Sequence, residues 1–217
     1  MSKYNVDKTY FEKVDTEHKA YFLGYLYADG YVCDSTVQLQ LHNKDIEILE
    51  YLNKEISPNT NMISHIANNM ARVNIYSVKL SKDIQNLGCV KNKTFLLKFP
   101  NIEEKFINHF IRGYFDGDGC ITFNKNSSEF SILGTESFCV SCKEVFLKYI
   151  DDTMTISISL HGKNKNIHRI RVCSKASIIK ILNWLYEDSN ISLSRKLNKF
   201  KEFIEFNNRV KRVNQYC

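Results

Sequence analysis

The sequence is poor in the residues that mark turns and linkers, with only 2 Pro and 8 Gly among 217 residues. A collagen-like or low-complexity chain is therefore excluded. Because 43% of the residues are hydrophobic, the chain can bury a core, and a disordered protein is excluded as well. The length fits either one large domain or two of about 100 residues each.

Long apolar segments are also lacking. No stretch of about 18 apolar residues is free of charge, so we expect no membrane span. Residues 1–14 contain no apolar core of the kind found in signal peptides. We therefore expect an intracellular protein that is neither secreted nor inserted in a membrane.

A disulfide framework is not indicated either. The seven cysteines are odd in number and scattered, at positions 33, 89, 120, 139, 142, 173 and 217, which favours reduced thiols. Cys139 and Cys142 form a C-x-x-C pair in an apolar, helix-like run, but no second pair supplies the further ligands of a zinc site. We expect these two thiols to pack inside a helical core.

Positive charge is modest in total and uneven in placement. The chain has 30 Lys+Arg against 24 Asp+Glu, a formal net charge of +6. Residues 190–217 contain seven basic residues and two acids, and residues 161–180 contain six basic residues and no acid. Such cation-rich segments predict either a polyanionic partner or a solubilising surface, and charge alone does not choose between them.

An internal repeat organises the chain. FLGYLYADGYV at Phe22 to Val32 aligns without gaps with IRGYFDGDGCI at Ile111 to Ile121, at an offset of 89 residues. Each copy predicts a helix, two strands, a helix, two strands and a further helix. The fold class is therefore α+β, built from two α-β-β-α-β-β-α repeats, with the first repeat at 1–95 and the second at 96–217.

Periodicity sets the predicted bounds of these elements. In the first repeat we predict helices at 16–28, 45–55 and a short one ending near Gly88, with strands at 31–33, 36–42, 62–66 and 72–76. In the second repeat we predict helices at 103–117, 136–149, 176–187 and 193–207, with strands at 120–124, 130–133, 154–161 and 167–173.

The repeated motif places small residues and acids at defined positions. Gly24 lies four residues before Ala28, and Gly113 four before Gly117, so each motif helix has a small-residue face on which two backbones can approach closely. We expect Gly24 and Gly113 at the interface between the two helices. Each helix then ends in an Asp-Gly pair.

Asp29 and Asp118 are acids at helix C-termini, where the unpaired carbonyls already present negative charge. Two such carboxylates brought together need protonation or a cation. A hard divalent ion such as Mg²⁺ suits carboxylate and carbonyl oxygens, and we name the Ala28 and Gly117 carbonyls as candidate additional ligands. The alternative is a helix stop and hairpin turn, in which the following glycines, Gly30 and Gly119, adopt positive φ.

On these two motifs the chain resembles the monomeric, two-motif LAGLIDADG homing endonucleases. The resemblance implies motif helices at the interface of two pseudo-symmetric halves and two antiparallel four-stranded sheets that form a saddle on the DNA major groove. It also implies that Asp29 and Asp118 bind Mg²⁺ or another divalent cation such as Mn²⁺ and direct hydrolysis of one strand each, leaving short 3′ overhangs at a long asymmetric site. Tyr27 stands where the second motif has Asp116, a departure that concerns packing more than chemistry.

The resemblance further implies a basic residue late in each repeat, and Lys93 and Lys196 are the candidates. Alternation predicts which strand residues read DNA, because amides suit adenine edges and arginine suits guanine. The predicted DNA-binding residues are Gln38, Gln40, Arg72, Asn74, Ser157, Ser159, His161, Arg169 and Arg171. The alternative for this alternation is the solvated outer face of a half-buried sheet.

The function predicted from these observations is metal-dependent, site-specific cleavage of double-stranded DNA by a monomer. A non-catalytic binder of the same fold, either an intron-splicing RNA maturase or a DNA-binding regulator, remains the alternative. A hydrolase of small molecules is disfavoured, because the sequence has no Gly-rich phosphate loop, nucleophile elbow or His/Cys cluster.

Overall fold

The computed structural model describes residues 5–91, 96–162 and 166–215, with side chains described as far as residue 209. Two compact units divide the chain, Met1–Gly117 and Asp118–Cys217. Among the described residues, none of the helices has both the length and the apolar character needed to cross a bilayer. The predicted division into repeats at 95/96 follows the sequence alignment, whereas the units divide at the end of the second motif helix.

The first unit contains one sheet and the helices that cover it. Its four strands pair antiparallel in the order β1-β2-β4-β3. The helices are α1 (Glu17–Asp29), α2 (Ile46–Ile56), α3 (Val78–Asn86) and α4 (Ile107–Asp118), which lies in this unit except for its last residue. The strands are β1 (Gly30–Cys33), β2 (Thr36–His42), β3 (Ile63–Ile66) and β4 (Met70–Tyr76).

The second unit repeats this plan. Its strands pair antiparallel in the matching order β5-β6-β8-β7. The strands are β5 (Cys120–Phe123), β6 (Ser128–Gly134), β7 (Ser157–Leu160) and β8 (His168–Val172), and the helices are α5 (Glu136–Tyr149), α6 (Lys175–Tyr186) and α7 (Ser194–Gln215). The α+β class with two antiparallel four-stranded sheets is therefore confirmed.

Helix starts follow from side-chain caps that the sequence encodes. The hydroxyl of Thr16 accepts a hydrogen bond from the backbone N–H of Lys19, and Ser77, Thr135 and Ser174 cap α3, α5 and α6 in the same way. Helix α7 is longer than predicted, since it runs to Gln215 rather than 207. The ion pair between Arg209 and Glu205, one helical turn apart, supports this extension.

Alternating side chains give each sheet one buried and one open face. Along β2 the residues Val37, Leu39 and Leu41 are buried, while the polar residues between them are partly exposed. Helices α2 and α3 contact the first sheet, and α5 and α6 contact the second. The C-x-x-C pair belongs to this core: Cys139 and Cys142 are fully buried on α5, and burial raises the pKa of the Cys139 thiol to about 12.

Candidate functional site

The motif helices α1 and α4 pack at backbone contact within the first unit. A Cβ atom added at Gly24 would lie 2.0 Å from the Phe110 carbonyl oxygen, and one added at Gly113 would lie 1.9 Å from the Tyr21 carbonyl oxygen. Both distances are far below van der Waals contact, so no side chain larger than hydrogen fits at either position. The geometry places Gly24 and Gly113 where the small-residue pattern predicted them.

This close packing continues to the carboxyl ends of the two helices. A Cβ atom at Gly117 would lie 2.4 Å from the Ala28 Cβ atom and 3.1 Å from Oδ2 of Asp29. The Asp29 carboxylate therefore lies beside the backbone of the residue that precedes Asp118 in the chain. Both aspartates are exposed, and each is followed by a buried glycine.

The glycine after Asp29 does not have the conformation expected for a hairpin turn. Gly30 has φ −72° and ψ 151°, which is extended backbone, so the alternative reading, a hairpin turn with positive φ, does not hold at this position. A Cβ atom there would lie 2.6 Å from the Leu26 carbonyl oxygen. Glycine is thus required at position 30 because the chain passes close to the backbone of α1 as it enters β1.

The residues two before each predicted catalytic aspartate face the protein interior. Tyr27 is buried, and its hydroxyl donates to the Leu87 carbonyl oxygen. It also lies against Gly88, which has φ 99° and could not carry a Cβ atom, since that atom would be 2.2 Å from the Tyr27 hydroxyl. Asp116 is fully buried and accepts a hydrogen bond of 2.8 Å from the Tyr21 hydroxyl. Packing roles at both positions explain how tyrosine and aspartate can occupy equivalent places.

Of the two predicted basic residues, Lys196 can be located and Lys93 lies outside the described residues. Lys196 stands in the first turn of α7, and only 8% of its surface is exposed. Its ammonium donates a hydrogen bond to the carbonyl oxygen of Gly119, the residue that follows Asp118. A positive charge is thereby held at the end of the second motif.

A buried ion pair at the motif helices escaped the sequence reasoning. Arg112 is fully buried, and its guanidinium donates to Oε1 of Glu17 at 2.7 Å. The same guanidinium lies 5.4 Å from the centre of the Tyr21 ring and 2.8 Å from Nδ1 of His109. The signal in the sequence was an arginine between the apolar residues Ile111 and Tyr114 of a motif helix, where a buried charge requires a partner.

The open face of the first sheet carries the four residues predicted to read DNA. In the register of β2 and β4, Gln38 lies opposite Asn74 and Gln40 opposite Arg72. All four side chains are partly exposed. Within the described residues, Nε of Arg72 and Oδ1 of Asn74 are buried without a hydrogen-bond partner. Each of these two atoms therefore has unused hydrogen-bonding capacity.

Two tyrosines on this face were missed. Tyr31 lies opposite Gln38, and Tyr76 opposite Thr36, so both share the open face. Their exposed fractions are 49% and 69%, which is large for aromatic side chains. Alternation along β4 would have identified Tyr76 from Arg72 and Asn74, and the β1–β2 register identifies Tyr31.

The open face of the second sheet carries the other predicted residues. Ser157 lies opposite Arg171, and Ser159 opposite Arg169. His161 follows the end of β7 and is exposed. The acid Glu129 on β6 was missed, although it lies on the same face: its Oε2 accepts from Nε of Arg171 at 2.6 Å and its Oε1 from Nη1 of Arg169 at 3.4 Å.

The donor chemistry at the ends of the motif helices fits a hard divalent cation. Asp29 supplies an exposed carboxylate beside the bare backbone of Gly117, and a side chain at 117 would fill that space. Across the described part of the chain, His, Cys, Asp and Glu side chains form no group of three that could hold a metal. A cation here would thus have few protein ligands and would share its shell with water and phosphate, as Mg²⁺ does.

Comparison with known proteins supports the fold. No protein-family model matches the sequence, and no curated protein matches it. Solved structures match over nearly the whole chain at 12–14% identity. The LAGLIDADG meganuclease I-AabMI, bound to uncleaved DNA, has 13% identity and a TM-score of 0.61, covering 88% of this chain and 90% of that one. I-GzeII, a LAGLIDADG homing endonuclease in complex with a DNA target, has 14% identity and a TM-score of 0.59, covering 91% of both chains.

A third similar protein is the LAGLIDADG homing endonuclease I-SmaMI. Its complex with cleaved DNA has 13% identity and a TM-score of 0.55, covering 91% of this chain and 90% of that one. Another I-SmaMI structure holds an uncleaved DNA target in the presence of calcium ions. The chain therefore has the LAGLIDADG endonuclease fold, as the motif pair predicted.

Proposed function

We propose that this protein is a site-specific endonuclease of the LAGLIDADG type, which hydrolyses both strands of double-stranded DNA with Mg²⁺ or Mn²⁺. The observation that carries the proposal is the exposed Asp29 carboxylate, held beside the backbone of Gly117 where the two motif helices pack closest. Short 3′ overhangs, a long asymmetric target and action as an intracellular monomer are parts of the same proposal.

The open faces of the two sheets are the proposed DNA-binding surfaces. Their partly exposed amides and arginines match the donors and acceptors that base edges present in the major groove. Strands are able to enter that groove. The cation-rich segments 161–180 and 190–217 provide the sequence-independent attraction to phosphates.

In the proposed mechanism, Asp29 and Asp118 would hold a divalent metal, with the Ala28 and Gly117 carbonyls as additional ligands. When bound, such a metal would supply an activated water and would stabilise charge on the scissile phosphate. Lys196 contributes a positive charge within hydrogen-bond distance of the residue after Asp118, which favours the additional negative charge of the transition state. Lys93 is proposed for the equivalent role in the first repeat.

The test is cleavage of a supercoiled plasmid library with randomised inserts, with and without Mg²⁺. The unchanged protein should linearise a subset of plasmids only when metal is present. Asp29→Asn and Asp118→Asn should each abolish cleavage of at least one strand and leave binding of the selected duplex largely unchanged. Full double-strand cleavage by Asp118→Asn would reject the assignment.

Asp116→Asn is the matched control, because it makes the same chemical change on the same helix two residues away. Asp116 is buried and bonded to Tyr21, so the variant should keep cutting both strands provided that its circular dichroism spectrum shows a native fold. If the unchanged protein binds DNA or RNA but cleaves no plasmid, it is instead a regulator or an RNA maturase of the same fold.

A further inference from the structure

Glu129 on the open face of the second sheet is an acid among residues proposed to bind a polyanion. Its carboxylate contacts both arginines of β8, at 2.6 Å from Nε of Arg171 and 3.4 Å from Nη1 of Arg169. Only 22% of the Glu129 side chain is exposed, against 47% for Arg171. Glu129 is therefore more shielded from solvent than Arg171, which remains accessible.

We propose that Glu129 is a specificity-determining residue, which orients Arg171 to read guanine in a G·C pair. This inference rests on the proposed function, since it presupposes that the open face of the second sheet binds duplex DNA. Nothing in the motif pair assigns a role to Glu129, which lies outside both motifs.

The geometry of the guanidinium supports this role. Because Glu129 occupies Nε, Arg171 can turn only its two terminal amino groups outwards. Within the described residues, neither of these groups has a hydrogen-bond partner. Two parallel N–H groups match O6 and N7 of guanine, the commonest specific contact of arginine in the major groove. A tethered guanidinium also loses less conformational freedom when it binds.

The negative charge of Glu129 also favours recognition of specific bases over attraction to phosphates. The carboxylate lines a cavity of about 310 Å³ together with Arg171, Lys175 and Thr122. With Glu129 present, the cluster that it forms with Arg169 and Arg171 has a net charge of +1, and without it the cluster would have +2. The acid therefore weakens attraction to any phosphate backbone and leaves more of the affinity to base contacts.

The test compares binding of two fluorescein-labelled duplexes over a range of salt concentrations. One duplex is enriched from a randomised library by the unchanged protein, and the other is its scrambled version. Glu129→Gln should bind the scrambled duplex more tightly, with a plot of log K against log salt that is steeper by about 1. The preference for the enriched duplex should fall about 10-fold, with loss of one guanine preference when selection is repeated.

Two further variants separate charge from orientation. Glu129→Asp keeps the charge but is one methylene shorter, so it should keep the salt dependence and lose the guanine preference. Glu205→Gln is the matched control, because it removes an exposed carboxylate that pairs with Arg209 on α7 in the same unit. This control should leave the guanine preference unchanged.

The outcomes distinguish this inference from the proposed function. If Glu129→Gln folds and keeps the same guanine preference as the unchanged protein, Glu129 does not determine specificity, whatever the cleavage activity. If the unchanged protein enriches a duplex and never cleaves it, the nuclease proposal fails and the role of Glu129 is still measured. If no duplex is enriched, both proposals are wrong.

Discussion

Replacing Gly113 with alanine should force the two motif helices apart. The added Cβ atom would lie 1.9 Å from the Tyr21 carbonyl oxygen and 3.0 Å from the Tyr25 nitrogen, and both are backbone atoms that cannot rotate away. Relieving the closer contact requires a movement of about 1.5 Å, because non-bonded heavy atoms settle near 3.5 Å. Overpacking of this kind costs about 1–3 kcal/mol, and the rigid neighbours favour the upper end.

The higher helix propensity of alanine offsets part of this destabilisation, because alanine inside a helix is about 1 kcal/mol more favourable than glycine. We therefore expect a net loss of about 2 kcal/mol in the free energy of unfolding. For a chain of this size such a loss corresponds to a fall in Tm of about 4–8 °C. The separation would also move Asp29 away from Gly117, so plasmid cleavage should fall more than DNA binding.

The assay is thermal and urea unfolding followed by circular dichroism. Gly162→Ala is the matched control, because the same methyl group is added where nothing lies within 4 Å, at a residue with φ 65°. The only destabilisation expected for this variant is that of placing alanine in the left-handed backbone region, about 1–2 kcal/mol in the free energy of unfolding. If Gly113→Ala raises Tm, as helix propensity without a clash would require, the close packing described for α1 and α4 is wrong.

Two other predictions follow from buried groups. Burial raises the pKa of the Cys139 thiol to about 12 and that of Cys142 well above its ordinary value, so both thiols are protonated at pH 8. Mass spectrometry after iodoacetamide should therefore find the exposed Cys120 and Cys173 modified before Cys139 and Cys142, and equal rates at these four would contradict the burial. Glu17→Gln should lower the urea midpoint by the equivalent of about 3 kcal/mol, because it removes the carboxylate that pairs with the buried Arg112 guanidinium at 2.7 Å, and a midpoint unchanged within error would show that the other groups around Arg112 suffice.

Local patterns in the sequence predicted much of the fold. Strand β2 and helix α5 have the predicted bounds, because alternation in the first and a threonine cap in the second are encoded by adjacent residues. Long-range contacts were beyond this reasoning. The bonds of Lys196 to Gly119 and of Glu129 to Arg171 join residues far apart in the chain, and periodicity does not report which side chains of neighbouring strands or helices meet.

For the candidate site as well, features encoded by neighbouring residues were predicted, and features that depend on long-range contacts were not. The motif pair predicted Asp29 and Asp118 at helix ends, since an Asp-Gly pair after an apolar helix is a local signal. The alternative of a hairpin turn with positive φ at Gly30 does not hold, because glycine is required there by the nearby Leu26 backbone rather than by a turn. Tyr31 was missed because its face depends on the β1–β2 register, whereas the face of Tyr76 follows from its two-residue spacing from Asn74 on β4.

Helix α4 belongs by its contacts to the first unit, although the sequence repeat assigns it to the second. The close contacts at Gly24, Gly113 and Gly117 all involve residues that precede Asp118, so both partners leave the ribosome before the second sheet does. At about 5–20 residues per second, the remaining chain takes roughly another 5–20 s to emerge. During that interval α1 and α4 can already pack together, which shields the apolar surfaces of both motif helices from chaperones and proteases.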